Sequence, residues 1–276
     1  MKAAIALMRL DKPIGIYLLW FPTAWALSLA YGKNIPLSML CYFALGTLLM
    51  RSAGCVINDI ADRRVDAHVW RTKNRPLAAG DLSLSAAWTI LFILLSLAFW
   101  ILIQLPKNCF YAAIPALLLT GIYPFCKRFL PTPQMVLSLA FTSSIPMVFI
   151  ASQTTWSASW SLLCFITILW VVAYDTEYAL ADLEDDLKIG IFSTARFFGQ
   201  YVRQIIASLQ ILLHSIWLIY AQLNHLSHAF YWMWGLAWFF WLHQWYLLSQ
   251  KDKQLHFKAF KLNAWYGLWM WISLIL

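Results

Sequence analysis

Long apolar runs separated by short polar segments follow one another from residue 14 to the end of the chain. Each run approaches the roughly 20 residues that a helix needs to cross the hydrocarbon core of a bilayer. Because the runs are continuous and do not alternate with a period of two, they predict membrane-spanning helices and not the strands of a barrel. Nine spans are predicted, or eight if the short last run does not cross, at about 14–31, 36–57, 84–104, 108–125, 136–152, 160–180, 203–222, 228–248 and 263–276.

The composition excludes a water-soluble protein. Hydrophobic residues make up 62% of the 276 residues and charged residues only 12%, about half the roughly 25% of an ordinary globular domain. A soluble fold of this length has too little interior to bury so much apolar surface. The 17 Trp, 18 Phe and 12 Tyr residues suit a bilayer protein, because aromatic rings favour the membrane–water boundary. The chain is therefore predicted to be an all-α, multi-spanning membrane protein.

Basic residues predict the orientation of the spans. Eighteen of the 20 Lys and Arg residues fall in five clusters, at the N-terminus and around the ends of the second, fourth, sixth and eighth spans. The alternate segments hold only Lys33 and Lys107. By the positive-inside rule all five clusters, and with them the N-terminus, are expected to be cytoplasmic. Short clusters between apolar runs do not form the single basic patch of a nucleic-acid-binding protein.

The acidic residues are concentrated in two short windows. Nine of the twelve Asp and Glu residues fall within residues 58–66 and 175–186, which close the second and sixth spans. Residues spaced four apart share one face of a helix, so each window presents a stripe of oxygen ligands. Carboxylates at a membrane edge need a counter-ion, and an oxygen-rich set without His or Cys favours Mg²⁺. The predicted metal ligands are Asn58, Asp62, Asp66, Asp182 and Asp186.

Two facing acidic helices could hold a diphosphate through bridging Mg²⁺, with basic side chains neutralising the remaining charge. The candidate bases lie in the same clusters: Arg71, Arg75, Lys127, Arg128 and Lys188. The alternative interpretation is that the acids are solvated residues at helix ends and that the bases serve topology alone. Four spans separate the two windows, which predicts a single domain over 1–276 with two similar four-helix halves, at about 14–125 and 136–248, and a last helix at 263–276.

The ordered set of motifs resembles the UbiA superfamily of intramembrane prenyltransferases. It comprises N-D-x-x-D-x-x-x-D at 58–66, R-T-x-N-R-P at 71–76 and Y-D-T-x-Y-A-x-x-D-x-x-D-D-x-x-x-G-I at 174–191. The segments R-L-D-K-P-I-G at 9–15 and Y-P-F-C-K-R at 123–128 resemble one branch, the 4-hydroxybenzoate polyprenyltransferases of ubiquinone synthesis. One departure is visible, since the family's G-I-K-S reads G-I-F-S here, with Phe192 in place of the lysine.

The resemblance implies nine helices around a central cavity capped by cytoplasmic loops, in a bacterial cell inner membrane. It implies Mg²⁺-dependent transfer of a polyprenyl group from its diphosphate to the ring carbon ortho to the hydroxyl of 4-hydroxybenzoate. The expected partners are these two substrates and the lipid bilayer, with no nucleic acid and no obligate protein partner. The expected catalytic residues are Asp62, Asp66, Asp182, Asp186 and Arg128; the expected substrate-binding residues are Asn58, Arg71, Arg75, Lys127, Tyr178 and Lys188.

Two alternatives remain open at this point. The same chemistry could act on another acceptor of the superfamily, such as a naphthoate, homogentisate or haem. A cation-coupled transporter is the alternative from another class, because acids within a membrane commonly mark ion pathways. Transporter acids usually sit near mid-membrane at broken helices, whereas these close two spans. The transferase is therefore the preferred interpretation.

Overall fold

The computed structural model describes residues 1–67 and 72–276, and this part of the chain is helical, without a β-strand. It contains α1 (Lys2–Leu7), α2 (Ile14–Tyr31), α3 (Leu37–Asp66), α4 (Pro76–Ala79), α5 (Leu84–Leu102), α6 (Asn108–Cys126), α7 (Pro133–Thr142), α8 (Ser144–Ser152), α9 (Ala158–Ile189), α10 (Thr194–Phe198), α11 (Val202–Leu223), α12 (His228–Ser249) and α13 (Lys253–Ile275), with a 3₁₀ turn at Gly199–Tyr201.

The predicted helical membrane bundle is confirmed. Seven helical stretches among the described residues are long and apolar enough to cross a bilayer, counting α7 with α8 and α10 with α11 as one each. The helices α12 and α13 are also long, at 22 and 23 residues, but their Trp, Tyr and polar residues lower the hydropathy. All nine predicted spans thus correspond to helices in the predicted order.

The last helix differs from its prediction, because α13 begins at Lys253 and not near residue 263. Lys258 and Lys261 therefore lie on a helix, where the sequence predicted a loop. Lysine is a good helix former, so the helix continues for more than two turns before the apolar run and begins with a polar first turn. The Asp252 side chain caps this turn by accepting a hydrogen bond from the backbone N of Gln254 at 2.8 Å.

The fifth span is broken between α7 and α8, where Thr142 ends the first helix and Ser144 begins the second. Pro146 follows in the first turn of α8. A proline has no N–H to donate to the carbonyl four residues earlier, here that of Thr142, and its ring crowds that carbonyl. The break therefore follows from the position of this proline.

The core is aromatic and lies between α2, α9, α11 and α12. Four tryptophans, Trp25, Trp170, Trp217 and Trp241, are fully buried. The Trp25 ring centroid lies 4.9 Å from that of Trp170 and 5.3 Å from that of Trp217. Rings of this size bury a large apolar area, and offset or edge-on pairs add a further attraction of about 0.5–1.5 kcal/mol. This core holds the second half of the chain against α2.

A polar network crosses the same core around the fully buried Glu177 of α9. Its Oε1 accepts a hydrogen bond from Gln210 Nε2 and its Oε2 accepts one from Asn263 Nδ2, both at 2.8 Å. Trp245 Nε1 donates to Gln210 Oε1 and Trp170 Nε1 to Asn263 Oδ1, at 2.6 and 3.0 Å. An indole N–H can only donate, so each tryptophan fixes the oxygen of its amide partner as the acceptor. The NH₂ groups of Gln210 and Asn263 then point to Glu177, which must accept both hydrogen bonds.

We expect Glu177→Gln to lower the free energy of unfolding by about 1–3 kcal/mol, although glutamine has the same shape. Its NH₂ group would face the NH₂ of Gln210 or Asn263 and leave buried donors unpaired. Thermal unfolding of the purified protein in detergent measures the loss. The exposed Glu184 on the same helix supplies the control, Glu184→Gln. Equal melting temperatures for the two variants would contradict the assigned polarity of the network.

Candidate active site

Two neighbouring cavities lie where α3 and α9 carry the acidic motifs. The larger, called the main cavity, has a volume of about 1150 Å³ and a lining that reaches from Asn58 on α3 to Leu105 beyond the end of α5. The smaller, called the acidic pocket, measures about 100 Å³. Its carboxylate lining is Asp62, Asp66, Asp175, Asp182 and Asp186. The residues that line both spaces are Arg75, Tyr123, Lys127, Asp175 and Tyr178.

The acidic pocket brings both motifs together. Asp62 and Asp66 come from α3, while Asp182 and Asp186 come from α9, and all four carboxylates face one space. Both helices continue past their apolar runs, to Asp66 and Ile189, so the four-residue spacing holds each pair on one face. Asn58 lies one turn before Asp62 and lines the main cavity, where its Oδ1 accepts from Lys127 Nζ at 3.4 Å.

Basic side chains neutralise these carboxylates from the connections that follow α3 and α6. Arg75 Nη1 lies 2.8 Å from Asp66 Oδ2, and Lys127 Nζ lies 3.9 Å from Asp62 Oδ2. Arg128 Nη2 lies 3.9 Å from Asp62 Oδ1 and donates to the backbone oxygen of Ala61 at 2.9 Å, with its side chain half-exposed. The pocket therefore combines anionic ligands with cations that could bind phosphate oxygens.

The donor chemistry of the pocket fits Mg²⁺. Among the residues that the structure describes, no three His, Cys, Asp or Glu side chains are grouped closely enough to form a cage for a metal ion. Mg²⁺ does not require such a cage, because it keeps several waters and binds through one or two carboxylates together with substrate phosphates. Carboxylates on opposite walls of a small pocket, all with oxygen ligands, meet this requirement.

The structure does not place two of the predicted residues, Arg71 and Lys188, in the acidic pocket. Arg71 lies outside the described residues. The Lys188 side chain is 75% exposed and pairs with Asp185 at 3.9 Å, so it points away from the pocket. Lys188 follows Asp186 by about half a turn of helix, so the two side chains lie on opposite faces of α9. The structure therefore separates Lys188 from the acidic pocket. Phe192 lines the pocket and lies under the guanidinium of Arg196, 4.8 Å from its ring centroid.

Arg51 is a site residue that the sequence analysis missed, having counted it with the basic residues of the loop after the second span. It lies on α3 and lines the main cavity, near Tyr123, Tyr174 and Tyr178. Within the described part of the chain it forms no ion pair, and its buried Nε has no hydrogen-bond partner. Its spacing of seven residues from Asn58 places both on one helix face and could have revealed it.

The absence of a side chain at Gly15 leaves the space that the Arg51 guanidinium occupies. A methyl group built on Gly15 would overlap the Nε and Nη2 atoms of Arg51, so the guanidinium lies directly against the backbone of α2. Packing therefore explains the glycine at this position, since only a residue without Cβ leaves this space. It belongs to the segment at 9–15 that carried part of the resemblance, and both residues line the main cavity.

The apolar part of the main cavity lies between α5 and α6. Its lining includes Leu95 and Phe99 from α5 and Phe110, Ile114 and Leu117 from α6. Phe99 is 52% exposed and Leu117 49% exposed, so these side chains face the surroundings as well as the cavity. Apolar, partly exposed side chains of this kind suit contact with lipid chains in a bilayer.

The sequence model of the UbiA prenyltransferase family matches residues 19–273, which is most of the chain. The chain belongs to the UbiA prenyltransferase family. It is similar to a protein of Legionella pneumophila subsp. pneumophila (strain Philadelphia 1) named 4-hydroxybenzoate octaprenyltransferase, with 50% identity over 99% of this chain and 96% of the relative. A relative of the same name from Enterobacter sp. (strain 638) is 44% identical over 97% of this chain and 93% of its own. The resemblance inferred from the motifs is confirmed.

Solved structures show the same fold. The apo structure of a UbiA homolog from Aeropyrum pernix K1 superposes with a TM-score of 0.81 at 20% identity, covering 94% of this chain and 96% of the other. A UbiA homolog from Archaeoglobus fulgidus bound to GPP and Mg²⁺ gives 0.73 at 16% identity, covering 99% and 100%. The chain is thus an integral membrane protein with the fold of this family of enzymes.

Proposed function

We propose that this protein transfers a polyprenyl group from its diphosphate to the ring carbon ortho to the hydroxyl of 4-hydroxybenzoate, with Mg²⁺, in ubiquinone biosynthesis. The observation that carries the proposal is the shared wall between a pocket of facing carboxylates and a large cavity lined by Arg51, which forms no ion pair with any residue that the structure describes. Diphosphate with its metal would occupy the first space, and the aromatic acid and the prenyl group the second. The names of the relatives at 44–50% identity support this reaction.

Asp62, Asp66, Asp182 and Asp186, with Asn58, would hold Mg²⁺ and through it the diphosphate. When bound, Mg²⁺ supplies positive charge that stabilises the departing diphosphate. Arg75 and Lys127 line both spaces and are the cations best placed to contact its oxygens as the C–O bond breaks. The solved A. fulgidus homolog with GPP and Mg²⁺ supports this pairing of metal and substrate.

Arg51 would bind the carboxylate of the aromatic acceptor. A bidentate guanidinium–carboxylate pair both orients an aromatic acid and offsets the cost of burying its charge. The ring carbon beside the phenol would then attack the allylic carbon and lose its proton to restore aromaticity. Tyr123, Tyr174 and Tyr178 surround this end of the cavity, where aromatic faces and exclusion of water favour a short-lived cation.

The prenyl tail would run along the apolar lining between α5 and α6 toward the lipid. The placement of the N-terminus and the active-site loops in the cytoplasm of a bacterial inner membrane is part of the same proposal. It is supported by the clustering of 18 of the 20 basic residues on one side of the predicted topology. The division into two similar four-helix halves stays a prediction.

Membranes containing the protein, incubated with radiolabelled polyprenyl diphosphate and a panel of acceptors, test the proposal. We expect labelled prenyl-4-hydroxybenzoate to form with Mg²⁺ and to disappear when EDTA is added. No transfer is expected with a homogentisate or a dihydroxynaphthoate, or with membranes lacking the protein. Transfer to one of those acceptors alone would replace 4-hydroxybenzoate as the substrate. Ion-dependent solute uptake without any transfer would overturn the enzymatic proposal.

A further inference from the structure

Asp59 is the first aspartate of the motif on α3, yet its surroundings differ from those of Asp62 and Asp66. Its side chain is only 1% exposed and lines the main cavity, whereas Asp62 and Asp66 line the acidic pocket. The Nη2 of Arg9 donates to both carboxylate oxygens of Asp59 at 2.9 Å. Arg75 Nη1 lies 3.2 Å from its Oδ1. Two guanidinium groups therefore already engage this carboxylate.

We propose that Asp59 is a positioning residue that holds Arg75 at the diphosphate and the N-terminal segment over the main cavity, and that it does not bind the metal. This inference rests on the proposed function, which supplies the diphosphate.

The first part of the argument concerns Arg75. Its Nη1 is shared between Asp59 Oδ1 and Asp66 Oδ2, at 3.2 and 2.8 Å. Asp66 is a proposed metal ligand, so its hold on Arg75 weakens when its charge is drawn to a cation. Asp59 still anchors the guanidinium on the wall common to both spaces. A positive group is thereby retained beside the leaving diphosphate.

The second part concerns the N-terminal segment. Arg9 has a φ of 58°, a left-handed conformation that is strained for a residue with a Cβ. Two contacts hold this bend: the paired hydrogen bonds to Asp59 and the hydrogen bond from Arg9 Nη1 to the backbone oxygen of Ala6 at 2.6 Å. Leu7, which precedes it, is fully buried against α3 and α5. The bend places Lys12 and Pro13 on the lining of the main cavity.

Asp59→Asn, which keeps the shape and removes the charge, tests the proposal. We expect the KM for polyprenyl diphosphate to rise about tenfold, with a smaller fall in kcat and with the Mg²⁺ concentration at half-maximal rate unchanged within twofold. Binding of labelled polyprenyl diphosphate to the purified protein should weaken by the same factor. Trypsin should cut after Arg9 faster than in the wild type. Asp62→Asn is the comparison, and its Mg²⁺ requirement should rise.

A double-mutant cycle with Arg9→Met separates the effect of the Arg9–Asp59 contact, called the clamp, from a general loss of structure. If Asp59 acts through Arg9, the double variant should bind polyprenyl diphosphate no more weakly than Asp59→Asn alone. Should Asp59→Asn fail to fold, Arg9→Met still tests the clamp, because it breaks the contact from the partly exposed side and should raise the same KM. A rise in the Mg²⁺ requirement of Asp59→Asn, or effects that multiply in the double variant, would overturn the proposal. Absence of transfer by the wild-type protein would instead refute the proposed function.

Discussion

Replacing Asp62 or Asp182 with asparagine is expected to reduce prenyl transfer at saturating substrate by at least about a hundredfold. The two residues lie on opposite walls of the acidic pocket. Each change removes one negative charge and leaves the side-chain volume nearly unchanged. Preorganised charges that act on a developing anion each contribute about 10²–10³ in rate, and loss of a metal ligand also weakens binding of the cation. Initial rates in membranes, measured over a range of Mg²⁺ concentrations, give both the rate and the metal requirement.

The matched control is Asp81→Asn, an exposed acid between α4 and α5 that belongs to neither cavity lining. We expect it to have wild-type activity. Higher Mg²⁺ concentrations should restore part of the activity of Asp62→Asn. The other carboxylates of the acidic pocket remain, so the affinity for Mg²⁺ is lowered and not abolished. Full activity of either asparagine variant at low Mg²⁺ would contradict the assignment of these aspartates to the metal and diphosphate.

Arg51→Met is expected to raise the KM for 4-hydroxybenzoate at least about thirtyfold and to leave the KM for polyprenyl diphosphate nearly unchanged. Removing one partner of a buried, hydrogen-bonded charge pair costs about 2–5 kcal/mol, because the substrate carboxylate would stay buried without a partner. Uncharged phenols lack that carboxylate, so the variant should use them as well as the wild type does. Steady-state kinetics with both acceptor classes measure this difference.

Two further variants isolate the effect of Arg51. Arg64→Met removes an exposed arginine from the same helix and should leave the KM for both substrates unchanged. Gly15→Ala should raise the KM for 4-hydroxybenzoate several-fold, because the added methyl displaces the flexible guanidinium of Arg51. Gly121→Ala is its control, since nothing lies within 4 Å of a methyl group built there. An unchanged acceptor KM in Arg51→Met would remove this arginine from the acceptor site.

The helices were predictable because the hydrocarbon core imposes a length that apolar runs reveal. The start of α13 at Lys253 was not predictable, since hydropathy cannot distinguish the polar first turns of a helix from a loop. The break at Thr142 was signalled by Pro146 but lay inside a continuous apolar run. Boundaries of this kind depend on local backbone chemistry and not on transfer to lipid.

The pairing of acids was predictable because a spacing of four residues sets a helix face without any knowledge of the fold. The meeting of Asp62 with Asp182 across one pocket then followed from their common place at span ends. The environment of Arg51 was not predictable in the same way, because it depends on which face of α3 lines the cavity and on the space left by Gly15. The anchoring of Asp59 by Arg9 likewise joins residues 50 positions apart.

The apolar lining at Phe99 and Leu117 has a consequence for the kinetics of the enzyme. Under the proposed function, a polyprenyl substrate that enters and leaves between α5 and α6 would not pass through water, so its supply would be set by its mole fraction in the two-dimensional fluid around the protein. Bulk molarity is then the wrong concentration scale for this substrate. Diluting the membrane with inert phospholipid at constant total isoprenoid is therefore expected to slow the enzyme, while diluting the buffer is not.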